Sequence, residues 1–251
     1  LLVVDALFAV FVVLQLAYLF GGRDVMAASG LTYAEYARRG FFELVLVAVL
    51  AGMLVVTLDV AVGCRSRVQL GAELLLLGLT AIVLVSALAR LRLYQEAYGW
   101  TELRFVVLVA ILWLGVALVA VAGLLLARRA TWTLHVLGVM VLLTLGALNV
   151  VGPQAFVADR NLERALDPSL VADGGRTGLD AGYLEELGDE GVPAVVAAWA
   201  RLTAEDRTAL DPFLEGRYEA LRDDPGYNGW PAWNVSRERA RSALEGWRAS
   251  R

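Results

Sequence analysis

The chain has 251 residues, 59% of them hydrophobic, with a net charge of −4 and a mean hydropathy of +0.62. That apolar content exceeds what an ordinary water-soluble domain carries, and the acidic balance excludes a nucleic-acid binder, which needs a basic surface to meet phosphates. The charge is divided: residues 1 to 151 hold ten arginines against eight acids, and residues 152 to 251 hold twelve against eighteen. A domain boundary is therefore expected at Gly152-Pro153, a helix-stopping pair at a change of solvent.

Five apolar segments each approach the 20 or so residues that a helix needs to cross a bilayer core. They run 1–20, 41–62, 70–89, 105–127 and 132–151. Buried helices of soluble proteins rarely recur at this length between short charged loops, so the expected fold is all-α: a five-span transmembrane bundle, then a soluble helical domain over 152–251. The chain begins at Leu1 inside an apolar run with no basic flank before it. It reads as the continuation of a longer membrane protein, not as a signal peptide.

The connections alternate. The second, with Arg65 and Arg67, and the fourth, with Arg128 and Arg129, are short and purely basic. The first and third are longer and carry helical patterning of their own. Thr32 stands three residues before Glu35, a capping-box spacing, and Glu35 meets Arg38 and Arg39 at i+3 and i+4. In the third connection Arg92 pairs with Glu96, Leu91, Tyr94 and Tyr98 share a stripe, and Thr101 is placed to cap the fourth span. Both read as amphipathic helices at headgroup level, where tyrosine and Trp100 prefer to sit. Five spans put the C-terminal domain opposite Leu1. The arginine count does not fix the orientation, and the tight basic turns favour an extracytoplasmic C-terminal domain.

The C-terminal hundred residues read as short helices. Asp167-Pro168 and Asp211-Pro212 each place an N-cap residue before a first-turn proline. Thr203, with Glu205 and Asp206, opens another helix, and Ser236 caps a last one.

Several segments resemble a bacterial multi-pass membrane family, domain of unknown function 4173, related to the 4153 group. They are Thr32 to Leu44, Arg92-Leu93-Tyr94, Ala97 to Arg104, Asn161-Leu162 with Arg164, and Trp233 to Arg237. The resemblance implies a bacterial plasma-membrane protein with further spans upstream. It implies no reaction, ligand or catalytic residue.

Two polar sets stand out in the membrane part. Asp5, Asp59 and His135 lie toward one face, with Glu73 and the basic turns; intramembrane ionisable groups either line a relay or pair and snorkel to the interface, and their nearness to span ends favours pairing and snorkelling. Toward the opposite face lie Glu35, Arg38, Arg39, Arg92, Tyr94, Glu96, Glu102 and Arg104. These form either a ligand site for an anionic lipid or solute, or an ion-paired packing collar. No catalytic motif, cofactor fingerprint or metal-ligand spacing appears, and Cys64 has no cysteine to pair with. The leading expectation is a non-enzymatic scaffold or sensor, lying in the lipid bilayer and presenting the C-terminal domain to a protein partner. A transporter or lipid-handling protein is the rival, and a transferase using Glu35 or Glu102 a third.

Overall fold

The computed structural model describes residues 1–20, 41–61, 66–172, 175–223 and 233–250, with side chains omitted at 15–20, 41–43 and 59–61. The expected first-connection helix (Thr32, Glu35, Arg38 and Arg39) lies outside them. Among the described residues the chain is helical, with no strand.

The chain divides into two compact units: residues 1–98 with 106–146, and residues 99–105 with 147–251. The first unit holds α1 (Leu2–Phe20), α2 (Phe41–Ala61), α3 (Arg67–Tyr98) and most of α4 (Glu102–Leu126) and α5 (Thr133–Val151). Helix α3 is its axis, packed against both α1 and α2. The core interleaves Val12, Leu44, Ala48, Val55, Leu76, Leu84, Ile111 and Leu118 from four helices. Large aliphatic side chains also cover the outside, as at Val3, Val85, Val119 and Leu142. Helices that are apolar all round belong in lipid.

Three helical segments are long and apolar enough to cross a bilayer: Arg67–Tyr98, Glu102–Leu126 and Ala130–Val151. They make the chain a membrane protein. In α1 and α2 the described apolar stretches are shorter, Leu2–Leu14 and Leu44–Leu58.

The third connection departs from expectation. No separate interfacial helix follows Ala89; α3 runs on to Tyr98 as one helix of 32 residues. Nothing between Ala89 and Tyr98 breaks a helix, and the stop comes at Gly99, in the left-handed region at φ 77°. Thr101 then caps α4 as expected, its Oγ1 accepting from the Arg104 N–H at 3.3 Å.

In the second unit α6 (Pro153–Leu166) follows Gly152, whose φ of 67° turns the chain, and Pro153 takes the first helical position. Then come α7 (Ala181–Glu186), α8 (Gly188–Ala198), α9 (Ala204–Asp223) and α10 (Val235–Ala249). Helix α8 is central, packed on α6 and α10. Val157, Leu184, Val192, Leu210, Leu214 and Leu244 fill the core, and Trp199 meets Trp247 edge to face at 5.5 Å.

Three expected caps resolve differently. Asp167 does cap Pro168, accepting from the Ser169 N–H at 3.0 Å, but the element is a single 3-10 turn, Pro168–Leu170. Asp211-Pro212 opens nothing: Pro212 lies inside α9, which starts earlier, where Thr203 Oγ1 accepts from the Asp206 N–H at 3.1 Å. Burial of Leu210 and Leu214 on either side of the proline holds that helix together across it. Asn234, not Ser236, caps α10, accepting from the Arg237 N–H at 2.8 Å. It stands two residues earlier in extended backbone, the conformation a capping residue needs.

Candidate functional site: the loop between two membrane helices

Residues 99–105 leave α3, enter α4, and belong to the same compact unit as the C-terminal helices. What holds them is specific. The Trp100 N–H donates to Asn161 Oδ1 at 2.7 Å, and Asn161 Nδ2 donates back to the Trp100 carbonyl at 2.8 Å. One amide side chain thereby satisfies both backbone groups of one residue, in a segment that has no other ladder for them. Phe156, on the same helix as Asn161, receives the ring of Trp100 at 5.2 Å and 78° and that of Phe105 at 5.1 Å.

Gly99 is required twice. Its positive φ disfavours any L side chain, and a Cβ would stand 2.8 Å from Asn161 Oδ1. Further along, the Glu102 N–H donates to Tyr183 Oη at 2.9 Å, which ties the first turn of α4 to α7. The Arg104 guanidinium closes over the loop onto the Gly99 carbonyl at 2.5 Å, while Arg164 reaches the Arg176 carbonyl at 2.5 Å.

The electrostatics follow the packing. Burial, and then the nearby Arg104 guanidinium, pull the Arg164 pKa below its ordinary value. Burial pushes the Tyr183 phenol up, with the Glu102 charge adding to it and the Glu102 N–H opposing it. Two cations, a phenol and an acid thus share one partly buried corner.

Of the residues expected to form the collar, Glu102 and Arg104 belong to this cluster. Arg92, Tyr94 and Glu96 fall in the other unit: Arg92 and Glu96 are exposed, and the Tyr94 ring meets that of Tyr98 at 5.5 Å, tilted by 47°. Glu35, Arg38 and Arg39 lie outside the described residues.

The intramembrane set separates likewise. Asp5 is 3% exposed, and neither carboxylate oxygen has a hydrogen-bond partner among the described residues. It is enclosed between helices, neither snorkelling outward nor paired with a described arginine of the basic turns. Glu73 is fully buried and accepts from Gln69 Nε2 at 2.9 Å. His135 is exposed beside Trp132, with no hydrogen bond or ion pair to Asp5. The Asp59 side chain lies outside the described set. Among the described residues no group of three or more His, Cys, Asp or Glu is placed to hold a metal.

Tyr183 is not singled out by the sequence, and the adjacent acids Asp189 and Glu190 read there only as solvated surface. Glu190 caps α6 from a distance: its Oε2 accepts from the Gln154 N–H at 3.2 Å, and its Oε1 from the Ser236 hydroxyl at 3.3 Å. The cap residue of that helix is Gly152, which has no side chain to do this. Beside it, Asp189 joins Arg217 at 3.3 Å and Arg237 at 3.4 Å, linking α8 to α9 and α10. No sequence-local signal marks these partners, because they act across 28 to 81 residues.

Residues 1–198 match the family described as Domain of unknown function (DUF4153), and the chain belongs to that family. This is the related group named beside 4173 in the sequence resemblance; the match does not establish the 4173 assignment. No curated protein and no solved structure matches the chain.

Proposed function

We propose that this DUF4153 member is a non-enzymatic scaffold or sensor, whose membrane helices carry a C-terminal helical body that engages a protein partner. The observation that carries the reading is the reciprocal Asn161–Trp100 pair. Through it the loop joining two membrane-length helices becomes part of the body formed by the C-terminal helices. Trp233 and Val235, 65% and 52% exposed, give that body an apolar contact surface of the kind interfaces use. All five apolar segments span in this reading. The C-terminal helices then stand in water outside the cytoplasm of a bacterial cell, and narrower placement in the 4173 group rests on segments such as Ala97–Arg104.

The test is cross-linking followed by purification from native membranes, comparing the natural chain with Asn161→Ala and Trp233→Ala. One protein recovered with the natural chain and depleted by both variants supports the proposal. A solitary protein, or a partner indifferent to both changes, contradicts it.

A second reading, a lipid-handling protein using its arginine and tyrosine face, is favoured by the two guanidinium groups that meet at Gly99, Arg104 on its carbonyl and Arg164 alongside. It predicts an anionic lipid retained on purification and lost in Arg104→Ala.

A further inference from the structure

Elsewhere in the C-terminal unit, two clefts of about 560 and 830 Å³ share Asn149, Glu190, Val235 and Ser236 as a common wall. Their position is set by α5. The segment Ala130–Val151 has 22 residues, which at 1.5 Å per residue reaches about 33 Å, the thickness of a bilayer core. Asn149 and Val150, in its last turn, therefore bring both clefts to headgroup level.

The smaller cleft has apolar walls at Val150, Ala155, Pro193 and Val235. It also holds two charges that the fold does not use. Asp159 and Arg239 both line it, both are exposed, and neither has a hydrogen-bonding or ion-pair partner among the described residues. They do not close on each other. Glu190 adds a second carboxylate, already engaged with Gln154 and Ser236. Acids thus outnumber arginines, which disfavours a headgroup carrying net negative charge.

We propose that this cleft binds the headgroup of a phospholipid with a primary ammonium, the phosphoethanolamine class. Arg239 takes the phosphate as a charge-assisted partner. Asp159 takes the ammonium, whose N–H groups a carboxylate can accept and which a quaternary choline lacks. Val150 and Val235 line the path of the glycerol and first methylenes toward the bilayer. The cleft shares Val235 with the partner surface proposed above, but Asp159 and Arg239, on which the headgroup depends, belong to the cleft alone.

The experiment reconstitutes the full chain in nanodiscs containing equal amounts of phosphatidylethanolamine, phosphatidylcholine and phosphatidylglycerol with the same acyl chains. Lipid retained on the protein is then counted by native mass spectrometry. One charge-assisted hydrogen bond predicts about tenfold enrichment of the ethanolamine lipid over the other two. Asp159→Asn brings it down to the level of the choline lipid, whereas Arg239→Gln lowers both. Both side chains are exposed, so circular dichroism and the unfolding temperature stay unchanged and exclude misfolding as the cause. Equal retention of all three lipids, preference for the glycerol lipid, or an enrichment that survives Asp159→Asn overturns the proposal.

Discussion

Asn161 is the residue on which the loop depends. Replacing it with alanine leaves the Trp100 N–H and carbonyl without their partner, and an unsatisfied buried polar group costs about 1–3 kcal/mol. Asn161→Ala is therefore expected to lower the stability of the C-terminal unit by about that amount, read as a fall in the unfolding midpoint followed by tryptophan fluorescence. Gly99→Ala reaches the same contact from the other side. It adds about 1–2 kcal/mol of backbone strain and pushes Asn161 away, so its loss should equal or exceed that of Asn161→Ala. Tyr183 gives the region a pH dependence. Its folded pKa lies above the unfolded value of about 10, so the folded state holds the proton more tightly. The contribution is complete below pH 10 and is lost as pH rises through the folded pKa. Alkaline titration should destabilise the natural protein more than Tyr183→Phe, and identical titrations would contradict the burial of the phenol.

Among the elements, the sequence was most readable where periodicity and local chemistry act alone. Long apolar runs located α3, α4 and α5, and the Thr101 and Thr203 caps lie within three residues of the N–H they serve. It was least readable where distant contacts decide. The run of α3 past Ala89 shows the difference: charge and tyrosines there imitate a separate interfacial helix, but a helix ends at a breaker, and the first is Gly99. Pro212 is the converse case, a breaker overruled by packing. Having no N–H, it leaves the Thr208 carbonyl without its helical donor. Pro212→Ala should stabilise α9 by up to about 3 kcal/mol with unchanged helix content, and a loss of stability would show that the proline itself is required. The Trp100–Asn161 contact spans 61 positions; both residues were flagged through the family resemblance, but nothing in their local spacing joins them.

At the scale of the whole molecule, three membrane-length helices and a second unit that reclaims residues 99–105 define the architecture. The orientation proposed above places Ser250 outside the cytoplasm. With Cys64 replaced by serine, Ser250→Cys should react with an impermeant thiol reagent in intact cells; protection until lysis would reverse the orientation. The proposed function needs more than topology, because it requires the α3–α4 loop to belong to the C-terminal body in the membrane. Amide hydrogen exchange on the full chain in nanodiscs measures this at the Trp100 and Glu102 N–H groups. Both are expected to be protected as strongly as the core of α8, and Asn161→Ala to release Trp100 while α8 stays protected. Rapid exchange at Trp100 in the natural protein would contradict it.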